Sequence, residues 1–428
     1  MILAKPMGAM SQSRFKTGDQ ALVRQINLAI ILDQLRENAP LSRAALAEKT
    51  GLNKTTVSSL VGELIQRQLV REIGLESAGI GRPSVQLTLN PEAGFVVSAE
   101  LGVDYISVIS TDFAPHINYK VKKTINPNQD QHEIIEQVLV LLKHTILENA
   151  SARGSLLGIA AGVPGLVDFS TGTVLFAPNL RWKNAELGKI LQQEFNVPIF
   201  VDNEANLAAL GEYYFGAARG YEEVLYISAG VGIGGGIIIN GSVMRGKTGY
   251  AGEFGHMTMD PEGELCGCGN RGCWETQASQ RALFKYIRDM IAAGKKSSLQ
   301  ELSWGNINSL SIEKVVEAAR HDDRLAKEAF NKIGCNLGVG IASLVNALNP
   351  ELVVLGGPIS LAWEFLRSAI DQELHTRALR WHQESADIVL ARHGADACVM
   401  GGVAAVYNHM LARPSDRLTT VALPVYFS

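Results

Sequence analysis

Four residues near the middle of the chain have the types and spacing of a tetrahedral metal site: His256, Cys266, Cys268 and Cys273. Thiolate and imidazole are the ligands that zinc prefers, and four of them close a structural site with no open position for water. The alternative is three unrelated thiols in a glycine-rich loop. Three of the five cysteines lie within eight residues, and this density favours structural zinc.

Carboxylates flank the cluster on both sides. Glu253 lies three residues before His256, and Glu275 lies two residues after Cys273. Such side chains can bind a polar ligand through hydrogen bonds. They can equally support the metal ligands from outside. Both roles stay open at this point, and they can coexist.

Size and composition indicate an ordinary soluble protein. The 428 residues are 46% hydrophobic and 19% charged, enough for two or three domains. No apolar run reaches the ~18 residues that a membrane span needs, and residues 1–19 lack the features of a signal peptide. Cys335 and Cys398 lie in apolar segments typical of a core. We therefore expect a cytoplasmic protein without a membrane partner.

The net charge of −4 conceals an uneven distribution. Residues 1–90 hold 11 Lys and Arg against 7 Asp and Glu, a charge of +4. The rest of the chain holds 28 against 36, a charge of −8. A basic head on an acidic body predicts that the head meets a polyanion and that the body does not.

Three helices are predicted in this head. The first ends before Pro40, the second spans 43–49 after the cap Ser42, and the third follows the cap Asn53. Long helix, short helix, turn and long helix is the helix-turn-helix arrangement. The apolar residues of the two long helices repeat at i, i+3, i+4 and i+7; they are Leu28, Ile31, Leu32, Leu35, Val57, Leu60, Val61 and Leu64.

A hairpin follows the third helix. Strands at 69–73 and 85–89 flank a glycine-rich tip, which predicts a wing. An arginine between glycine and proline at such a tip suits a narrow minor groove. The alternative is a helical interaction domain with a solvated hairpin, but the basic charge favours DNA. The candidate DNA contacts are Arg43, Asn53, Lys54, Thr55, Thr56, Ser58 and Arg82.

The body contains two similar strand–turn–strand patterns. They lie at 96–109 and 224–239, about 130 residues apart, and suggest a duplicated α/β lobe. Helices are predicted at 134–150 and 185–195, and glycine loops follow strands at 162–165 and 356–358. Strands that alternate with helices predict an α/β fold, with ligands bound at the carboxyl ends of strands between the lobes.

Residues 96–406 resemble the ROK family of repressors, open reading frames and sugar kinases, within the superfamily of actin-like ATPases and sugar kinases. The resemblance rests on Val-Asp-Asn-Glu-Ala-Asn at 201–206, the glycine run 230–236, Gly-Glu-Phe-Gly-His at 252–256, and the metal motif that ends in Glu275. The metal motif is the most diagnostic of these. With its winged helix, the chain resembles ROK repressors of the xylose-repressor type.

The resemblance implies an α/β protein with two domains. A winged helix-turn-helix at 1–90 precedes a two-lobed, actin-like sugar-kinase (ROK) domain at 91–428, with its zinc motif at 256–273. It also implies a homodimer or homotetramer. Two basic heads would then read a palindromic operator in double-stranded DNA.

By resemblance, a monosaccharide site is lined by Asn203, Glu204, Glu253, His256, Glu275, Gly165 and Asn179. One ring nitrogen of His256 can bind zinc while the other donates to a sugar hydroxyl. Asn179, Asp202 and Asn206 can equally be turn or capping residues.

Departures from the family pattern argue against phosphoryl transfer. Family kinases resemble Asp-x-Gly-x-Thr in the first phosphate loop, where this chain has Glu100-Leu-Gly-Val-Asp104. A carboxylate facing ATP oxygens is repulsive by about a few kcal/mol. In the second loop, Val231 replaces a hydroxyl residue. Glu204 aligns with the kinase base, an aspartate, and its extra methylene shifts the reacting oxygen by ~1 Å, which can cost ~100-fold.

The sequence therefore predicts a sugar-responsive transcriptional regulator, a repressor of carbohydrate-utilisation genes such as those for xylose. It predicts no catalytic residues, structural Zn²⁺ as cofactor, and no use of ATP. The first alternative is an ATP-dependent sugar kinase with a DNA-binding domain. The second is a regulator controlled by a protein partner instead of a sugar.

Overall fold

The computed structural model describes residues 20–76, 84–126, 129–150, 154–302, 306, 309–383 and 387–412. These residues form two compact units. One contains residues 20–90 together with 408–412, and the other contains residues 91–407. The tip of the hairpin, with Arg82, and the tail after 412 lie outside the described residues.

The first unit is a helix-turn-helix with a three-stranded sheet. Its elements are α1 (Gln20–Asn38), β1 (Leu41–Ser42), α2 (Arg43–Thr50), α3 (Lys54–Gln66), β2 (Val70–Glu76) and β3 (Ser84–Leu89). The sheet order is β1-β3-β2, all antiparallel. Both predicted caps are present, because Ser42 accepts from the Ala45 N–H and Asn53 accepts from the Thr56 N–H. The apolar stripes of α1 and α3 are buried, as their periodicity predicts.

The second unit contains two five-stranded sheets of identical topology. The first, in order β11-β7-β4-β5-β6, has β4 parallel to β7 and antiparallel to β5. The second, in order β14-β13-β12-β15-β16, repeats this pattern with β12 in the place of β4. The predicted duplication is therefore present, and each repeat begins with one of the two strand–turn–strand patterns.

The strands of the second unit are β4 (Phe95–Leu101), β5 (Tyr105–Asp112), β6 (Ile117–Thr124), β7 (Leu156–Val163), β8 (Leu166–Asp168), β9 (Thr173–Ala177), β10 (Trp182–Ala185), β11 (Ile199–Asn203), β12 (Glu223–Ala229), β13 (Ile233–Ile239), β14 (Ser242–Val243), β15 (Leu352–Gly356) and β16 (Asp387–Leu390). Strands β8 to β10 form a separate small sheet. We refer to the parts built on the first and second five-stranded sheets as the first and second lobes.

The helices of this unit are α4 (Gln131–Ala150), α5 (Leu187–Phe195), α6 (Glu204–Phe215), α7 (Trp274–Ala278), α8 (Gln280–Ala292), α9 (Leu299–Leu302), α10 (Ile312–Arg320), α11 (Arg324–Leu348), α12 (Trp363–Arg377), α13 (Arg380–Gln383) and α14 (Ala397–Ala412). One predicted boundary was wrong: Ala185 belongs to β10, and α5 begins at Leu187. Among the described helices, none combines the length and the apolar character of a membrane span.

Candidate functional site

The candidate site is built around β13, which contains three consecutive glycines at 234–236. Alternate residues of a strand face opposite sides of the sheet. On one side, a Cβ added to Gly236 would lie 2.6 Å from the Cβ of Ala209 in α6. On the other side, a Cβ added to Gly235 would lie 2.1 Å from the ring of Phe254. The glycines therefore let two chain segments pack closely against opposite faces of one strand.

Glu204 is the first residue of α6, and its carboxyl lies beside this strand. Its Oε1 is 3.3 Å from the position of a Cβ on Gly234. Its Oε2 is buried and has no hydrogen-bond partner among the described residues. Burial raises the pKa of Glu204 to about 8, and nearby carboxylates, Glu100 foremost, add to the rise. A buried carboxyl with an unpaired oxygen is stabilised when a polar ligand supplies a hydrogen bond.

Asn203 has a structural role beside the predicted sugar contact. Its side-chain oxygen accepts from the N–H groups of Ala205 and Asn206, at 2.8 and 3.3 Å, and so caps α6. Its Nδ2 donates to the carbonyl of Gly165 at 2.9 Å. These bonds fix the turn into α6 and place Gly165 next to it. A Cβ on Gly165 would lie 2.4 Å from the Phe176 carbonyl oxygen, so only glycine fits there.

Glu275 reaches the glycine loop between β12 and β13. Its Oε2 accepts from the Ile233 N–H at 3.2 Å, and a Cβ on Gly232 would lie 2.2 Å from the same oxygen. Glu275 is the second residue of α7, which begins at Trp274 directly after the last cysteine of the cluster, so the loop that carries the cysteines also aims this carboxylate. The two predicted roles of Glu275 are therefore compatible in one position.

His256 lies between the thiols and a carboxylate. Its Nδ1 is 3.7 Å from Sγ of Cys266, and its Nε2 is 3.9 Å from Oε2 of Glu253. Burial raises the pKa of Glu253, the His256 imidazole opposes the rise, and Glu275 adds to it. One imidazole nitrogen therefore faces the cluster, and the other faces a predicted sugar contact.

The four predicted metal ligands come together. Their ligand atoms all lie within 4.8 Å of one another, and Sγ of Cys268 is 3.7 Å from Sγ of Cys273. Two ligands of a tetrahedral zinc ion lie about 3.6–3.8 Å apart. A tight turn joins the first two cysteines to the third, because the Cys266 N–H donates to the Asn270 carbonyl at 2.7 Å. The donor set and its spacing fit a closed tetrahedral site.

Asn179 contacts the other lobe. Its Oδ1 accepts from Nη2 of Arg281, in α8, at 2.9 Å. The turn that carries Asn179 joins β9 to β10 in the small sheet. The structure therefore gives this amide a bridging role between the small sheet and α8.

Sequence reasoning missed one pair beside the site. Asp202 precedes Asn203 and forms two hydrogen bonds with the guanidinium of Arg245. The Asn206 amide also lies 3.4 Å from Asp202. Asp202 is therefore more than a turn or capping residue, because it also forms an ion pair with a distant arginine. A lone arginine in a glycine-rich stretch eight residues before Glu253 was the available signal.

Two glycine loops correspond to the phosphate loops of kinases: one joins β4 to β5, and the other joins β12 to β13. In both, backbone N–H groups bond to other groups of the protein. In the first, the Gly102 N–H donates to the Tyr105 carbonyl at 2.8 Å, and the Tyr105 hydroxyl donates to Glu100 at 2.5 Å. In the second, the Gly230 N–H donates to the Gly232 carbonyl at 2.9 Å, beside the Ile233 N–H that Glu275 already binds. Amides that would cradle a phosphate in such loops are thus partly occupied.

The predicted DNA contacts in the first unit are mostly exposed. Asn53, Lys54, Thr55 and Ser58 are exposed at the start of α3, and Thr56 is half-buried. Arg43 is ion-paired with Glu72 at 3.0 Å, so part of its charge is neutralised. The helix that begins at Lys54 therefore presents a compact polar surface.

Comparison with known proteins identifies the family. Residues 96–409, well over half of the chain, match the ROK family. The chain belongs to the ROK family. Residues 29–79 also match the MarR family, and this stretch contains α2, α3 and part of α1 of the helix-turn-helix.

Relatives of this ROK protein include regulators and kinases. The xylose repressor of Bacillus subtilis is 36% identical over 394 residues, which cover 92% of this chain and 98% of that protein. The crystal structure of a ROK family transcriptional regulator, a homologue of the Escherichia coli MLC protein, has a TM-score of 0.78 at 30% identity and covers 91% of this chain and 97% of that one. A ROK glucokinase from Streptomyces griseus, in complex with glucose and AMPPNP, has a TM-score of 0.65 at 31% identity, with 72% and 98% covered.

Proposed function

We propose that this ROK protein is a sugar-responsive transcriptional repressor that binds DNA through α3 and a monosaccharide through its second unit. One observation carries the proposal. The Glu275 carboxylate lies at the glycine loop between β12 and β13, and the Glu204 carboxyl lies beside Gly234 in β13. Glu253 is near enough to both to interact with each electrostatically. Clustered carboxyl groups suit the adjacent hydroxyls of a sugar, because they accept hydrogen bonds from hydroxyls and, where protonated, also donate one.

D-xylose is the first candidate effector, because the Bacillus subtilis relative is named a xylose repressor. Isothermal titration of the purified protein with D-xylose, D-glucose and D-mannose tests the proposal. Binding of one of these sugars, together with a change in operator affinity, is the expected outcome. A protein that binds DNA but none of a wider monosaccharide panel would instead support control by a protein partner.

We propose that the four-residue cluster holds zinc in a structural role. The ligands would be His256, Cys266, Cys268 and Cys273, with no position left for a reactive water. Bound zinc would fix the loop that aims Glu275 and the ring orientation of His256. Metal analysis should find about one zinc per chain.

We also propose that the domain has lost phosphoryl transfer. The amides already bonded in both glycine loops, and the carboxylate of Asp104 in place of a hydroxyl, support this. The expected result is no release of ADP above background with ATP, Mg²⁺ and each sugar that binds. Robust turnover with any of them would favour the alternative, a sugar kinase with a DNA-binding domain, in which Glu204 would be the base.

Lys54→Ala should weaken operator binding by a similar factor on many DNA sequences. Lys54 is exposed at the first position of α3, where its ammonium can neutralise a DNA phosphate. Each lost phosphate contact lowers the slope of log K against log salt by about 0.9. Gel-shift titrations at several salt concentrations measure both effects. Lys49→Ala, at the last turn of α2, is the matched control; an unchanged slope for Lys54→Ala would argue against a phosphate contact.

We propose that the repressor is a cytoplasmic homodimer or homotetramer that reads a palindromic operator with two heads. The sugar would be held by Glu204, which directly follows β11 of the first lobe, and by Glu253 and Glu275 of the second lobe. A ligand held by both lobes favours the arrangement that it binds more tightly. That preference can alter the spacing of the two heads without ATP. Small-angle scattering with and without the sugar tests whether the overall dimensions change.

A further inference from the structure

A partly buried ion pair joins the two lobes beside the candidate sugar contacts. Asp202, in β11, is 2% exposed. Arg245 donates from Nη1 to Oδ1 at 3.0 Å and from Nη2 to Oδ2 at 2.6 Å. Strand β11 is an edge of the first sheet, and Arg245 follows β14, an edge of the second. The bidentate pair therefore connects one edge of each lobe.

Each residue of the pair is hydrogen-bonded to a backbone group at or near a candidate sugar contact. Oδ1 of Asp202 also accepts from the N–H of Asn203 at 2.8 Å, one residue before Glu204. The carbonyl of Arg245 accepts from the Ala251 N–H at 3.1 Å, which closes the loop leading to Glu253. Both segments also pack on opposite faces of β13, and the Asp202–Arg245 pair adds a direct side-chain link between them.

An aromatic ring limits the positions that Arg245 can take. Its guanidinium carbon lies 3.8 Å from the centroid of the Phe169 ring, and Phe169 follows β8 of the small sheet. A planar guanidinium can stack on an aromatic ring while it forms two parallel bonds to a carboxylate. A lysine ammonium cannot do both. The stacking and the bidentate bonds together fix one orientation of the side chain.

We propose that Asp202 and Arg245 form an inter-lobe latch and that Arg245 is a positioning residue for the effector. The latch holds Glu204 and Glu253 at the separation that one sugar molecule spans, so its loss lowers sugar affinity without removing a sugar contact. Contacts held in advance cost less entropy when the ligand binds. The inference rests on the proposed function, because it concerns the same sugar site.

The test uses the full-length, zinc-loaded protein and D-xylose, or whichever monosaccharide the parent binds. Arg245→Lys keeps the charge but loses the planar fork, and it should weaken sugar binding about tenfold. The double variant Asp202→Asn/Arg245→Met removes both charges, so it leaves no unpaired buried ion. If the pair acts as a unit, Asp202→Asn should weaken binding no further once Arg245 is methionine. Titration calorimetry measures the affinities, and metal analysis verifies the zinc content.

Lys120→Met is the matched control. Lys120, in β6, pairs with Asp396, and β6 is the opposite edge of the first sheet from β11. Its loss should leave sugar affinity unchanged. A merely structural role for Arg245 would lower the melting temperature equally with and without sugar, whereas a positioning role reduces the increase that sugar causes.

The outcomes separate the inference from the function on which it rests. A parent that binds a sugar, with an Arg245→Lys variant that binds it equally well, overturns the latch alone. Strictly additive losses in the double variant overturn it as well. A parent that binds no monosaccharide overturns the proposed function and the latch together.

Discussion

Cys268→Ser should abolish both zinc binding and the response to sugar. The three remaining ligands leave the tetrahedral site open, and a serine hydroxyl is a far weaker ligand for zinc than a thiolate. Without the ion, the loop that aims Glu275 at the Ile233 N–H loses the bonds that would join its three cysteines to His256. The zinc content measured by metal analysis should fall from about one ion per chain to near zero. Operator binding should no longer change when the sugar is added.

Cys335→Ser is the control for this variant. Cys335 is a half-buried cysteine of α11, outside the cluster. Its substitution should leave zinc content and sugar response as in the parent. A Cys268→Ser protein that lacks zinc but binds the sugar with parental affinity would show that the metal and the sugar site are independent.

Glu204→Ala should lose the sugar response and keep operator binding. The substitution removes the carboxyl whose Oε2 is buried beside β13, while Asn203 still caps α6. A tenfold change of operator affinity by sugar corresponds to about 1.4 kcal/mol of coupling, within the ordinary allosteric range. Gel-shift titrations with and without sugar should show this change in the parent and not in the variant. A variant that responds like the parent places the effector site elsewhere.

The pH dependence of stability gives an independent test of the same carboxyl. In the folded protein, burial raises the pKa of Glu204 to about 8 from an ordinary 4.5. The folded state therefore keeps its proton while the unfolded state loses one, and stability falls as pH rises from about 4.5 to about 8. Above pH 8 this contribution to the pH dependence ends.

Glu204→Gln should remove this dependence. The amide has almost the same size and does not ionise, so the variant should gain stability relative to the parent across that pH range, by on the order of a few kcal/mol at pH 8. Urea unfolding of both proteins at pH 5, 6.5 and 8 measures the difference. A constant difference over the three pH values would mean that the Glu204 carboxyl is ionised in the folded protein.

Features that depend on neighbouring residues were readable in the sequence. The helices of the head, with Ser42 and Asn53 as caps, follow from apolar spacing and turn chemistry over a few residues. The metal ligands lie within one short segment, so their types and spacing already indicated the cluster. The repeated strand–turn–strand patterns likewise predicted two similar lobes, and the two sheets have the same strand order.

Contacts between distant residues were decided by the tertiary structure alone. Arg245 and Asp202 are 43 positions apart, Glu275 and Ile233 are 42 apart, and Arg281 and Asn179 are 102 apart. Nothing in local spacing determines which edges of two sheets meet, since that depends on how complete strands and helices pack. The same holds for Glu204, because only close packing of α6 on the glycines of β13 buries its carboxyl. The sequence by itself determined which groups were available for chemistry, and the packing of the lobes decided which of them face one another.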